Sequence, residues 1–171
     1  MCGGIIVSDK LLFGPKGLAG DWGHLSLPWP LDHEMEGRVC GCGRTGCLEH
    51  FVSLEGLSYD YKLLTGEKFS AENIIKQAET GDFVAEPAMQ VLEDRISRGL
   101  AVVISLLDPD IILIGSMLAE SKRLFTNIPR KWPGCIRSSV HSDIIVPPRT
   151  SNPCPNQLYL HGAAHLCDYV K

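Results

Sequence analysis

The sequence predicts an α/β protein, and three stretches carry that prediction. Ile111 to Ile114 is a continuous apolar run rich in β-branching, the pattern of a strand covered on both faces. Gly115 follows it, and apolar spacing from about Leu118 to Lys131 predicts a helix next. In that strand, loop, helix order ligands sit beyond the strand's carboxyl end. A long amphipathic helix is expected just before, from near Asp82 to about Leu107.

The chain has 171 residues, enough for one compact domain with a core, and is 44% hydrophobic and 21% charged. A formal charge of −4 argues against a broad phosphate-binding face, so no nucleic-acid partner is expected. The densest basic group, Lys122 to Arg137, is interrupted by apolar residues and reads as a solvated helix face. No stretch approaches the ~20 apolar residues of a membrane span. Nor does the N-terminus carry a charged segment followed by a long apolar run, so a cytoplasmic location is expected, with thiols reduced. The seven cysteines therefore need a role other than disulfides. Cys2, Cys135, Cys154 and Cys167 are dispersed and read as incidental, whereas Cys40, Cys42 and Cys47 lie together.

In chain order, Ile5 to Ser8 and Leu11 to Phe13 read as short strands joined by a turn at Asp9 and Lys10. A glycine-rich loop, Gly14 to Gly23, comes next. From His24 to Gly46 prolines and polar residues break any periodicity, and so short a loop rarely holds one shape unaided. Leu48, Phe51, Val52, Leu54 and Leu57 begin a helical stripe that continues to Leu64 and stops at Gly66. Ser70 is the expected N-cap of a short helix ending at Gly81. The core face of the long helix is expected to be Val91, Leu92, Ile96, Leu100, Val103, Ile104 and Leu107. Asp108-Pro109 stops that helix, because a residue before proline avoids the helical region. Ile144 to Val146 reads as another strand, and Gly162-Ala163-Ala164 opens a last helix. There is no internal repeat, and no linker long enough to divide the chain.

The strongest local signal is Cys40-Gly-Cys42-Gly-Arg-Thr-Gly-Cys47. Three thiolates and an imidazole make a closed tetrahedral set typical of structural zinc, and Gly41, Gly43 and Gly46 let the chain turn tightly enough to bring them together. Free cysteines in a loop are the competing reading; a redox role lacks the usual two-residue spacer. Spacing alone leaves His24 either the fourth ligand or an ordinary surface or core histidine. A closed set has no open position for substrate, so the metal would shape the loop and would not activate water.

Gly20-Asp21-Trp22-Gly23-His24, then Cys40-x-Cys42-Gly-x-x-Gly46-Cys47-x-Glu49 and the Ser53-centred helix, resemble the ROK family of repressors and sugar kinases. Leu27-Pro28-Trp29 is similar to bacterial fructokinases and mannofructokinases, and the likeness continues through Leu107-Asp108-Pro109-Asp110-Ile111-Ile112 to Gly162-Ala163-Ala164. The resemblance implies an actin-like, ribonuclease H-like ATPase lobe with an inserted zinc loop at 24–49. Residues 1–171 would then form most of the second lobe of a two-lobed kinase. It also implies that His24, Cys40, Cys42 and Cys47 hold the zinc, and that Asp21, His24 and Glu49 contact the sugar. Carboxylates suit that task because each accepts from two neighbouring hydroxyls. Ordinary solvation or capping is the alternative for Asp21 and Glu49, since Glu49 in a first helical turn favours the dipole in any protein.

Three departures from the family pattern bear on activity. The resemblance leaves the first lobe, with its phosphate loop and its general-base aspartate, outside these residues, and phosphoryl transfer needs one closed cleft. The chain's first residues correspond to the interior of the second glycine-rich phosphate loop, of which Gly3 and Gly4 remain. The triple-glycine turn near the adenosine reads Gly115-Ser116-Met117, bulkier than the family's. Nucleotide contacts are therefore expected at Gly3, Gly4 and Gly115 only weakly, and the isolated chain is expected to be inactive. The functional expectation is one lobe of a fructokinase-like enzyme that phosphorylates a hexose of the fructose, mannose or glucose type with ATP and Mg. The missing N-terminal lobe is one expected partner and a homodimer another. A non-catalytic sugar-sensing or regulatory module is the competing expectation, and a zinc module that binds protein partners is a third.

Overall fold

The computed structural model describes residues 3–35, 38–115, 117–136 and 144–146. The chain falls into two compact units, Met1–Val102 and Val103–Lys171. Their division lies inside the helix Ala85–Leu107.

The first unit opens with an antiparallel hairpin of β1 (Ile6–Val7) and β2 (Lys10–Leu11), with Ile6 opposite Leu11 and Val7 opposite Lys10. The Leu12 N–H donates to the Ile5 carbonyl and extends the ladder. The turn is Ser8-Asp9, one residue earlier than expected, with φ of 51° and 60°. Two successive left-handed residues make the tight turn whose twist matches that of the strands, which leaves Lys10 free to begin β2. Short 3-10 turns follow at Trp22–His24, Asp32–Glu34 and Leu48–His50.

The helical stripe expected from Leu48 onward is interrupted. The 3-10 turn ends at His50, and α1 (Leu54–Thr65) starts only after Ser53. Ser53 is extended, and its Oγ accepts the Gly56 N–H at 3.0 Å. That bond satisfies a donor which the first helical turn leaves without an intrahelical partner. The break also lets Phe51 bury with Leu27 and Leu48 in one apolar cluster, against which Val52 packs. Gly66 caps the helix in the left-handed region, as its position implied. Ser70 caps α2 (Ala71–Glu79) through the Asn73 N–H, and α2 packs on α1.

The long helix α3 spans Ala85–Leu107, and Asp82 Oδ1 accepts from both the Val84 and Ala85 N–H groups at its start. Of the expected core face, Leu92, Ile96 and Ile104 are buried, and Leu100 and Val103 are half-buried. Val91 and Leu107 face solvent. Glu93, Arg95, Ser97 and Arg98 are buried as well, and Arg95 and Arg98 are covered through their ion pairs with Glu34 and Asp60, so burial in the middle of α3 does not follow the apolar stripe alone.

In the second unit Asp108 turns the chain with φ 44° after the helix. β3 (Ile112–Leu113) pairs in parallel with β4 (Ile145–Val146), Ile112 opposite Ile145. The expected two-sided covering of this strand does not occur among the described residues. Ile111 and Leu113 are exposed, while Ile112 and Ile114 are half-buried, which is the alternation of a strand covered on one face. The helix expected from Leu118 is divided into a 3-10 turn, Met117–Glu120, and α4 (Lys122–Lys131), with the buried Ser121 between them. Leu124, Ile128 and Trp132 supply the buried side of α4 and of the turn that follows it. The helix expected at Gly162-Ala163-Ala164 lies outside the described residues, as do Cys2, Cys154, Cys167 and Ser116. No helix among the described residues is long and apolar enough to cross a membrane.

Candidate functional site

The site is built where two passes of the chain are stitched together. Ser26 and Cys47 form an antiparallel bridge, the Leu27 N–H donates to the Gly46 carbonyl, and the Leu48 N–H donates to the Leu25 carbonyl. His24, the last residue of the Trp22–His24 turn, is thereby carried beside the cysteine loop although it precedes Cys40 by 16 residues. The cysteine loop closes on itself through a Val39–Thr45 bridge and a Cys40 N–H to Arg44 carbonyl bond of 2.7 Å. Gly43 and Gly46 have φ of 84° and 78°, left-handed positions that a side chain would strain.

This backbone brings one donor atom each from His24, Cys40, Cys42 and Cys47 to within 4.8 Å of one another. The His24 Nδ1 to Cys40 Sγ distance and the Cys42 to Cys47 Sγ distance are both 3.6 Å. A tetrahedral zinc with ordinary bond lengths separates two thiolate sulfurs by about 3.8 Å, and a sulfur from an imidazole nitrogen by about 3.6 Å. The donor set therefore fits that ion in both chemistry and spacing. Glu49, in the turn after Cys47, places Oε1 3.2 Å from Cys40 Sγ and 3.5 Å from His24 Nδ1. A second triad of Cys40, Glu49 and His50 meets the same distance limit. It shares Cys40 and offers a single sulfur, and three thiolates with an imidazole are the better match to zinc.

The thiols perturb one another strongly. Cys42 is drawn down to about 6, first by the Arg44 backbone N–H and then by the hydrogen bond with Cys40. For Cys40 the Cys42 N–H pulls downward, but burial and hydrogen bonding with Glu49, Cys42 and Cys47 outweigh it and push the thiol up to about 12. The carboxyl of Glu49 is lowered, chiefly by the Cys40 thiol and then by the charge of His24. Three crowded thiols cannot all ionise at neutral pH by themselves; a dication among them reverses that balance.

The remaining expected positions are distributed as follows. Asp21 stands exposed just before the turn that carries His24. Gly3 and Gly4 precede the hairpin. The Gly3 N–H donates to the Gly20 carbonyl, and a Cβ on Gly3 would lie 2.2 Å from Trp22 Nε1. Glycine at position 3 is thus required by packing against the Trp22 turn. Gly115 follows β3 in the second unit.

Sequence reasoning missed the charged network beneath the loop. Glu34 is buried and takes a fork from Arg98, whose Nη2 and Nη1 lie at 2.8 and 2.9 Å, together with Arg95 Nε at 2.6 Å. Arg98 Nη1 also donates to the Pro28 and Trp29 carbonyls, and Trp29 is held at a left-handed φ of 44°. Arg95 continues to Asp60 Oδ2 at 2.5 Å, and the other oxygen of Asp60 pairs with Arg38. Arg38 Nη1 reaches the His50 carbonyl at 2.6 Å. Burial would raise the Glu34 carboxyl, but the hydrogen bonds from Arg98 and Arg95 bring it down to about 2.

Four side chains of metal-ligating type thus converge, with the Glu49 carboxylate at their edge. The chain matches the ROK family over residues 1–167, and it belongs to that family. It is 27% identical over 135 residues to an N-acetyl-D-glucosamine kinase of Pectobacterium carotovorum, an alignment covering 77% of this chain and 44% of that protein. The chain thus spans about half the length of the curated relatives it matches. Among solved structures, a ROK family glucokinase from Streptomyces griseus in complex with glucose and AMPPNP superposes with a TM-score of 0.71. The identity is 24%, with 85% of this chain and 51% of that one covered. A ROK family transcriptional regulator homologous to the E. coli MLC protein gives a TM-score of 0.69 at 26% identity, covering 85% and 38%. The fold is the one these ROK proteins share.

Proposed function

We propose that these residues are the sugar-binding part of a ROK sugar kinase that phosphorylates a hexose with ATP and Mg. In this reading His24, Cys40, Cys42 and Cys47 hold a structural zinc, which fixes the loop 24–49, and Glu49 and Asp21 accept hydrogen bonds from sugar hydroxyls. The observation that carries it is the convergence of the four donor atoms with the Glu49 carboxylate at their edge, 3.5 Å from His24 Nδ1. A carboxylate so placed is oriented by the metal loop and keeps acceptor capacity for a polyol. The family resemblance assigns the general base and the first phosphate loop to the other half of such a kinase, in the same polypeptide or a separate one. The same resemblance assigns nucleotide contact to Gly3, Gly4 and Gly115. The Leu27-Pro28-Trp29 segment favours fructose, and the matched N-acetylglucosamine kinases and glucokinase make N-acetylglucosamine and glucose the alternatives to try beside it.

The experiment is isothermal titration of the zinc-loaded chain with fructose, mannose, glucose and N-acetylglucosamine, followed by ATP. Saturable binding of one hexose is expected. Glu49→Ala should weaken it at least about tenfold, because each hydrogen bond to a charged group contributes roughly 1.5–3 kcal/mol. A folded, zinc-containing sample that binds none of the four sugars sinks the reading. A sugar-responsive regulator is the second reading, favoured by the similarity to the transcriptional regulator. Sugar binding with no response to ATP, in the presence of the companion half, supports it over the kinase.

A further inference from the structure

We infer that Arg38, held by Asp60, is the positioning residue of the metal loop. This rests on the metal reading proposed above. Arg38 stands at the neck of the loop, two residues before Cys40, and ties the two chain passes together with separate groups. Its carbonyl accepts the Gly46 N–H at 3.3 Å, next to Cys47. Its Nη1 donates to the His50 carbonyl, next to Glu49. One residue therefore sets the spacing between Cys40, Cys47 and the Glu49 carboxylate.

The guanidinium is itself fixed on every side. It lies over the Phe51 ring at 4.5 Å and the Tyr59 ring at 4.6 Å, and its Nη2 is paired with Asp60. Asp60 is locked in turn by Arg95, and Arg95 by Glu34. Both side chains of the Arg38–Asp60 pair are largely shielded from solvent, so the pair is screened little by salt. A planar, forked cation can stack between two rings while donating to two acceptors in different directions; an ammonium cannot. The donors of the metal site are thus preorganised by a buried ionic chain anchored on α1 and α3. Groups that orient ligands from outside the coordination sphere typically change metal affinity about 10- to 100-fold when removed.

The test uses the full chain and two readouts, zinc affinity by competition with a chromophoric chelator and the visible spectrum of the cobalt(II)-loaded protein. Arg38→Gln and Asp60→Asn should each weaken zinc about 10- to 100-fold and shift the cobalt bands, and Arg38→Lys should recover part of both. Ile74→Val, a core trim on α2, serves as the stability control and should leave both readouts unchanged. Unaltered affinity and spectrum in Arg38→Gln overturn the inference, as does an equal loss in Ile74→Val. An unsubstituted chain that binds neither metal overturns the metal reading itself, and this inference with it.

Discussion

Glu34 offers a direct measure of what the buried ionic network contributes. Its carboxyl lies at about 2, against an ordinary value of 4.5. A folded value below the unfolded one means that the ionised native state is favoured. The stabilisation is present in full above about pH 4.5 and is lost as pH falls toward 2. The difference between 4.5 and 2, at 1.36 kcal/mol for each pH unit, amounts to about 3 kcal/mol. Glu34 is only 4% exposed, so little of this is screened by water. Glu34→Gln keeps the shape and removes the charge, leaving the fork of Arg98 without its carboxylate; breaking a buried pair in this way costs about 3–5 kcal/mol near neutrality. Urea unfolding of both proteins between pH 7 and pH 2, with chelator present throughout, isolates the effect. The stability gap should be widest at pH 7 and narrow by about 3 kcal/mol on reaching pH 2. Two parallel curves would refute the reasoning, because the network would then contribute no more with Glu34 ionised than with it protonated.

Two further outcomes are expected. Cys47→Ser should reduce bound zinc from one ion per chain to near none after dialysis, measured by atomic absorption, because it removes a buried sulfur of the four-donor set. Ser53→Ala should destabilise the first unit by about 1 kcal/mol in urea titrations, through loss of the cap on the Gly56 N–H.

What could be read from the sequence was what depends on near neighbours. The caps at Ser70 and Gly66 follow from rules confined to a few residues, and so does the clustering of Cys40, Cys42 and Cys47. The stop at Asp108-Pro109 has the same local cause. The interruption at Ser53 was also written locally, as a good cap inside an apolar stripe, but hydrophobic spacing alone ran through it. The Glu34 network had no such signal. Glu34 meets its arginines across 61 and 64 positions, and Asp60 meets Arg95 across 35. Charged residues at such separations look like solvated surface until the fold brings them together. For the same reason periodicity alone misplaces part of α3: it puts Val91 and Leu107 inside, yet burial around Arg95 and Arg98 follows the ion pairs. Arg38 and His50 carry no such signal either, because they are joined by a main-chain carbonyl and Arg38 is held by ring stacking, neither of which leaves a spacing pattern.

The uneven origin of the four donors governs how much a metal could stabilise the fold. Cys40, Cys42 and Cys47 are close enough in the chain to gather round an ion with little loop-closure cost even when the protein is unfolded. His24 arrives only when the Ser26–Cys47 pairing has formed. A ligand stabilises a protein only through the difference between its affinities for the folded and unfolded states. Zinc retained by three thiolates in the unfolded chain would therefore contribute to stability mainly through the imidazole it gains on folding. The colour of a cobalt-loaded sample, changing as that nitrogen enters or leaves, would follow the docking of residues 24–27 against the cysteine loop, which global unfolding probes do not resolve.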